Sequence, residues 1–433
     1  MEKPKIYFLP HYIAPLKYVE RLIPYLRDTY DVGFLIIERD SPSRRALLKY
    51  CDDRQYEYYV IGKGFRVWGN GMTDDGKIHI PFYTPLKERY EYSKACKKFF
   101  ETVKPVKLIA VKTWYQHNMV LKEANRKGIE TVLLFWTGPL QQIAFRFNGA
   151  HTRVYKRTIV GWVKAILKKT YRPILTGVCR VADVLDVSSK ESRFSQTQAI
   201  LRRVGIFDEY EKRMGRVNRY NPRTVSVVGS LDFQIVHELK QRVVSEKPFR
   251  EALLNGYGLS DRKPKIVVII YRFYLLPPIE EDRMSIPQHI AHYYDVFKTI
   301  REVFSEEEAD IILKMHPGER MIYDSYKDLG VKIYHDESRT DELVCLADLY
   351  IADPASSVNN MVLASDTPAI FINFSKLQFL NNLMEYFHIK YMTTEKKDFV
   401  EKLKQFKEGT LEKQYDNSHI AIRSVENVLR FIG

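Results

Sequence analysis

Apolar residues in this chain follow two alternating patterns. Uninterrupted runs at 6–9, 32–37, 108–111 and 131–136 have the length of β-strands buried on both faces. Between them apolar residues recur every three or four positions. Leu16, Val19, Leu22, Ile23 and Leu26 make one such stripe, and further helices are predicted around 95–103 and 116–126, the latter stopping at Gly128. The rhythm returns later, with runs at 266–270, 311–315, 349–352 and 369–372. A helix carrying Ile290, Tyr294, Phe297, Ile300 and Phe304 and a short one at 341–347 lie between them. Continuous apolar strands separated by amphipathic helices predict parallel sheets covered on both faces. The expectation is an α/β protein of two doubly wound lobes, 1–245 and 246–410, with an interlobe cleft and a C-terminal helix in 411–433 packing back. A strand at 224–228, the turn Gly229-Ser230 and a polar helix to Ser245 lead up to that boundary, and Lys247-Pro248 and 261–264 are the breaks.

Composition narrows the functional classes. The 433 residues, at about 150 per domain, suit two or three units. A hydrophobic fraction of 45% supports sizeable cores and excludes wholesale disorder. The 68 basic residues exceed the 54 acidic ones by 14, which favours anionic partners. Cys51, Cys96, Cys179 and Cys345 are far apart and form no CxxC pair, so neither a disulfide framework nor a zinc site is expected, and the compartment is read as cytoplasmic. No apolar run reaches the ~18 residues of a membrane span. Met1 to Lys5 lead straight into the first strand without the apolar region of a signal peptide.

The charge is unevenly placed. From 131 to 182 there is no Asp or Glu, while Arg153, Lys156, Arg157, Lys164, Lys168, Lys169 and Arg172 stand among Trp162, Val163, Ile166 and Leu167. A basic amphipathic segment (146–180) of this kind suits an anionic membrane surface or a lipid-linked acceptor. Two other readings stay open, a solvated face over ordinary core residues and a nucleic-acid surface.

Two stretches carry candidate chemistry. The run at 311–315 ends abruptly in Lys314-Met315-His316-Pro317, which puts an ammonium and an imidazole at the carboxyl edge of a parallel sheet. Proline ends the strand there because it cannot donate to the ladder. About 40 residues on, the strand at 349–352 runs into Asp353-Pro354-Ala355-Ser356-Ser357, and a helix is predicted at 359–364. Serines at a helix start either cap it or hold an anion. With Asp341-Glu342-Leu343 and Thr367-Pro368-Ala369-Ile370, these motifs resemble the carboxyl lobe of GT-B transferases. The similar families use cytidine-activated donors: CDP-glycerol glycerophosphotransferases and capsule or sialic-acid (CMP-sugar) glycosyltransferases. The resemblance spans about 260–375 and is architectural over 1–245. It implies two Rossmann-like lobes, no metal and no cofactor, with donor phosphates on His316, Ser356 and Ser357 and Lys314 as a weaker candidate.

The chain departs from the glycerophosphotransferases at two places. Their further downstream Asp is Asn360 or Met361 here, according to register. Their Trp-His-Gly-Thr-Pro corresponds to Phe135-Trp136-Thr137-Gly138-Pro139, in which Thr replaces the acceptor-activating His. His11, after the first strand, and His117, after the run at 108–111, are therefore the candidate general bases, since imidazole titrates near working pH. Gly229-Ser230 resembles the interlobe turn of GT-B proteins, and Arg272 follows the strand at 266–270 where it can face the donor. GxxxxGK[ST], a complete GxGxxG and a strand-end Asp-x-Asp are all missing, which argues against a P-loop nucleotidase, a dinucleotide site and a metal-bridged diphosphate.

The expected function is metal-independent transfer of a glycosyl or glycerophosphoryl unit. The donor is nucleotide-activated, CMP/CDP ahead of UDP, and the acceptor a glycan or lipid-linked molecule at the inner face of the membrane. The alternative is a UDP-sugar glycosyltransferase or an enzyme like the non-hydrolysing UDP-GlcNAc 2-epimerases. A nucleic-acid-binding protein is the remaining class, and no nucleic-acid partner is expected.

Overall fold

The computed structural model describes residues 2–37, 42–61, 83–111, 115–135, 203–206, 224–270, 284–315, 323–335 and 339–433. They form two compact units. One takes the described residues up to Leu231 together with Val425–Gly433, and the other takes Asp232–Ser424.

The first unit is a seven-stranded parallel sheet of β1 (Lys5–Leu9), β2 (Asp31–Ile36), β3 (Glu57–Val60), β4 (Lys107–Ala110), β5 (Glu130–Leu134), β6 (Arg203–Ile206) and β7 (Val225–Val227). Their spatial order is β3-β2-β1-β4-β5-β6-β7. Helices α1 (Ile13–Glu20), α2 (Ile23–Leu26), α3 (Pro42–Asp53), α4 (Tyr83–Val103) and α5 (Tyr115–Arg126) connect the strands. β1, β4 and β5 are legible as apolar runs because they are almost wholly buried. One face of the sheet packs Tyr7, Leu9, Leu108 and Leu133 against Phe99 and Phe100 of α4 and Leu121 of α5. Tyr7 reaches across β2 because the neighbouring position there is Gly33. A methyl group at that position would lie 2.6 Å from the phenol ring.

Next in the chain are α6 (Leu231–Ser245) and α7 (Lys247–Gly256). Pro248, read above as part of a break, sits in the first turn of α7, where a missing N–H leaves no bond unmade. The second unit has five parallel strands, β8 (Lys265–Ile269), β9 (Asp310–Lys314), β10 (Val331–Tyr334), β11 (Leu349–Ala352) and β12 (Ala369–Phe371), in the order β10-β9-β8-β11-β12. Its helices are α8 (Ile286–Val303), α9 (Asp324–Lys327), α10 (Thr340–Leu346), α11 (Asn359–Ser365), α12 (Gln378–Tyr386) and α13 (Lys396–Lys407). At the carboxyl edge Tyr334, Lys314, Ile269, Ala352 and Phe371 lie in one register row.

The last helix, α14 (Ser424–Ile432), returns to the first unit. Lys107 at the start of β4 donates to the carbonyl of Ile432, and the Tyr30 hydroxyl donates to that of Gly433 at 2.6 Å. Among the described residues no helix is long and apolar enough to cross a membrane.

In both sheets the strand order reverses once, between β1 and β4 in the first unit and between β8 and β11 in the second. The crevice above the carboxyl ends of such a pair is where open α/β sheets receive ligands.

Candidate functional site

In the first unit the reversal is occupied by histidines. His11 lies two residues beyond β1, and His117 is the third residue of α5, which follows β4. Both are buried, and their rings stand 6.1 Å apart, nearly perpendicular. His11 also stacks edge-on against Tyr12 at 4.2 Å, and burial pushes that phenol up to about 12. The sequence offered these histidines as alternatives, and the fold brings them together.

Gly229-Ser230 also belongs to the first unit. Gly229 has φ +80, which only glycine adopts without strain. Ser230 is buried with its hydroxyl 3.4 Å from that of Tyr18, which in turn accepts from the Leu231 N–H at 2.9 Å.

In the second unit the edge beyond β9 and β11 carries the candidate donor residues. Lys314, the last residue of β9, is buried and donates to the Met315 carbonyl at 2.5 Å. Asp353 follows β11 and is 2% exposed. One of its carboxyl oxygens accepts a hydrogen bond from Tyr293 of α8. Its main-chain carbonyl accepts from the Asn359 amide at 3.5 Å, and the Asn359 amide oxygen accepts from Tyr350 of β11 at 3.0 Å. Burial pushes the Asp353 carboxyl up to about 7, with the Tyr293 bond pulling the other way.

The serines lie on the loop that leaves Asp353. Ser356 is half-buried, and its hydroxyl accepts from the Val358 N–H at 3.2 Å, while Ser357 is exposed. The N-cap of α11 is Val358, so neither serine is the helix cap that was one of the two readings of the sequence. Tyr293 is placed by its helix. Ser285 and Gln288 form a reciprocal capping box at the start of α8, and His289, Tyr293, Phe297 and Ile300 then make one buried stripe. His289 touches Tyr293 edge-on at 5.1 Å and lies 3.2 Å from the Tyr323 hydroxyl, and His292 packs on the ring at 4.8 Å. Burial lowers the pKa of His292.

His316, Pro317, Arg272 and Thr137 lie outside the described residues, as do Arg153, Lys156, Arg157, Trp162, Lys164, Lys168, Lys169 and Arg172. Among the described residues no cluster of three or more His, Cys, Asp or Glu side chains is arranged to hold a metal. Sequence reasoning missed Tyr293, which reaches Asp353 across 60 positions. The predicted stripe of this helix starts through Ile290 and Tyr294, one position off the buried His289 and Tyr293, and the remaining signal was the Asp353-Pro354 pair closing an apolar strand.

No protein-family model and no curated protein sequence matches the chain. Solved structures do. The UDP-GlcNAc 2-epimerase of Neisseria meningitidis, bound to UDP-GlcNAc, matches with a TM-score of 0.59 at 10% identity over 99% of both chains. A variant of the wall teichoic acid polymerase TagF soaked with CDPG gives 0.52 at 11% identity, over 99% of this chain and 88% of its own. MurG of Acinetobacter baumannii gives 0.50 at 10% identity, over 100% of this chain and 99% of its own. The fold shared with these proteins is the GT-B type, two parallel α/β units.

Proposed function

We propose that the chain is a GT-B transferase that moves a glycosyl or glycerophosphoryl unit from a CMP- or CDP-linked donor to a glycan or lipid-linked acceptor. One observation carries the reading: ionisable and hydroxyl side chains occupy the strand-order reversal in both units, His11 and His117 in one, Asp353 and the loop of Ser356 and Ser357 in the other. In this scheme the second unit holds the donor phosphates with His316, Ser356 and Ser357, assisted by Lys314 and Arg272. Gly229 and Ser230 are supporting donor-site residues. The histidine pair in the first unit takes the proton from the acceptor hydroxyl. The developing charge on the nucleotide is met by hydrogen-bond donors and cations of the chain itself. The segment around Lys164, Lys168 and Lys169 then faces an anionic surface at the membrane's inner face. Its binding to anionic vesicles would weaken with salt as charges are screened beyond ~8 Å.

Thermal stability in the presence of CMP, CDP, UDP and GDP tests the donor assignment. A ligand at 100 times its dissociation constant stabilises by about 2.7 kcal/mol. Stabilisation by CMP or CDP above that by UDP is expected, and a response to none of the four would overturn the reading. A second reading, a UDP-sugar enzyme related to the 2-epimerases, is favoured by the 99% mutual coverage with the Neisseria enzyme. It predicts preferential stabilisation by UDP and a reaction that proceeds without any acceptor.

A further inference from the structure

Asp353 poses a problem for the proposed donor site. It stands on the loop that carries Ser356 and Ser357, at the strand-order reversal of the second unit, and its side chain is almost wholly inside the protein. A charged carboxylate there would repel any nucleotide phosphate received by that loop, and burial would leave the repulsion poorly screened. Among the described residues no basic side chain bonds Asp353. Its oxygen instead faces the Tyr293 hydroxyl, and its main chain is tied through Asn359 to Tyr350. We propose that Asp353 is a positioning residue that couples nucleotide binding to uptake of one proton, so that the phosphates meet a neutral acid held by Tyr293.

This inference rests on the donor assignment above and deepens it. Free protein, nucleotide and a solvent proton combine, and the proton resides on the Asp353 carboxyl in the complex. The free carboxyl, pushed up to about 7 by burial, is divided between its two forms near neutrality, and a bound anion favours the protonated one. Titratable groups on the surrounding elements are Tyr293, His289 and His292 of α8, Tyr350 of β11 and Lys314 of β9. Burial moves His292 downward and Tyr350 well above the usual phenol range, so both move away from the neutral window. The nucleotide's own second phosphate ionisation, near pH 6, has the opposite sign, since it makes the ligand more anionic as pH rises.

The test is calorimetric titration of the full chain with CMP and CDP between pH 6.5 and 8.5, in two buffers of different ionisation enthalpy. The wild type is expected to take up close to one proton at pH 8 and to lose affinity up to about tenfold per pH unit above neutrality. Asp353→Asn should lose the fall in affinity above neutrality and the proton taken up at pH 8, keeping only the changes towards pH 6.5 that His316 and the nucleotide's own phosphate supply. Tyr293→Phe provides a second handle. The phenol's bond favours the charged carboxylate, so its loss should raise the carboxyl further and move the fall in affinity to higher pH. A wild-type pH slope in Asp353→Asn overturns the coupling while leaving the donor site intact. No binding of either nucleotide at any pH overturns the donor site and the coupling with it.

Discussion

The two strand-order reversals share a topology and differ in proton chemistry. In the first unit the point beyond β1 and β4 holds two buried imidazole rings, the candidate bases. In the second the corresponding point beyond β8 and β11 holds a carboxyl that burial inclines to keep its proton. One doubly wound scaffold thus hosts a candidate base and a candidate neutral acid, set by which side chains close the crevice. The strand order fixes where chemistry can occur, and the loops after the strands decide which chemistry it is.

Breaking the base side should give the largest effect. Replacing both His11 and His117 by Ala is expected to lower turnover by roughly 10²–10⁴-fold, the usual contribution of a positioned general base. Donor affinity should stay at the wild-type value, and a parallel loss of nucleotide binding would remove the division of labour. Next in size, His316→Ala and the pair Ser356→Ala/Ser357→Ala should each reduce turnover by roughly 10²-fold, about 3 kcal/mol of lost transition-state stabilisation. The fold should survive the serine changes, since both residues lie on a loop, and near-ultraviolet circular dichroism checks it. Smaller effects should appear in stability against pH. Asp353 has its carboxyl raised from 3.8 to about 7, so the folded state binds the extra proton and stability falls as pH rises across that window. His419 has the reverse sign. Burial and its stacked neighbour His388, 3.7 Å away, lower it from 6.5 to about 4, so stability falls as pH drops through that range. In the wild type the two slopes oppose each other. Denaturant titrations of Asp353→Asn should uncover the His419 dependence, and those of His419→Asn the Asp353 dependence. Profiles indistinguishable from wild type in both variants would mean that neither group is perturbed.

Most central strands were readable because burial on both faces leaves an unbroken apolar run, as in β8 and β9, where every residue is buried. By contrast β6, Arg203–Ile206, is too short a run and was not predicted. Two of the edge strands, β3 and β10, escaped notice for the converse reason. β3, Glu57-Tyr58-Tyr59-Val60, is half-exposed, and β10 has one buried residue in four. Chemistry divided along a similar line. His11 and His117 were identifiable by their position after predicted strands, whereas their mutual approach depends on β1 and β4 being neighbours, a fact of topology that no local pattern contains. Asp353 stood in the sequence only as the first residue after a strand, and its partner Tyr293 lies on a helix far away in sequence.

The return of α14 to the first unit also sets an order of events during synthesis. A chain made from its amino end completes most of the first sheet early, and β7 is finished before β8 begins. The Lys107 ammonium and the Tyr30 hydroxyl must nonetheless wait for Ile432 and Gly433, which are made after the whole second unit. Domains tend to fold as they emerge, and exposed apolar surface invites association. The first unit is therefore a nascent fold whose last contacts wait for the length of another domain.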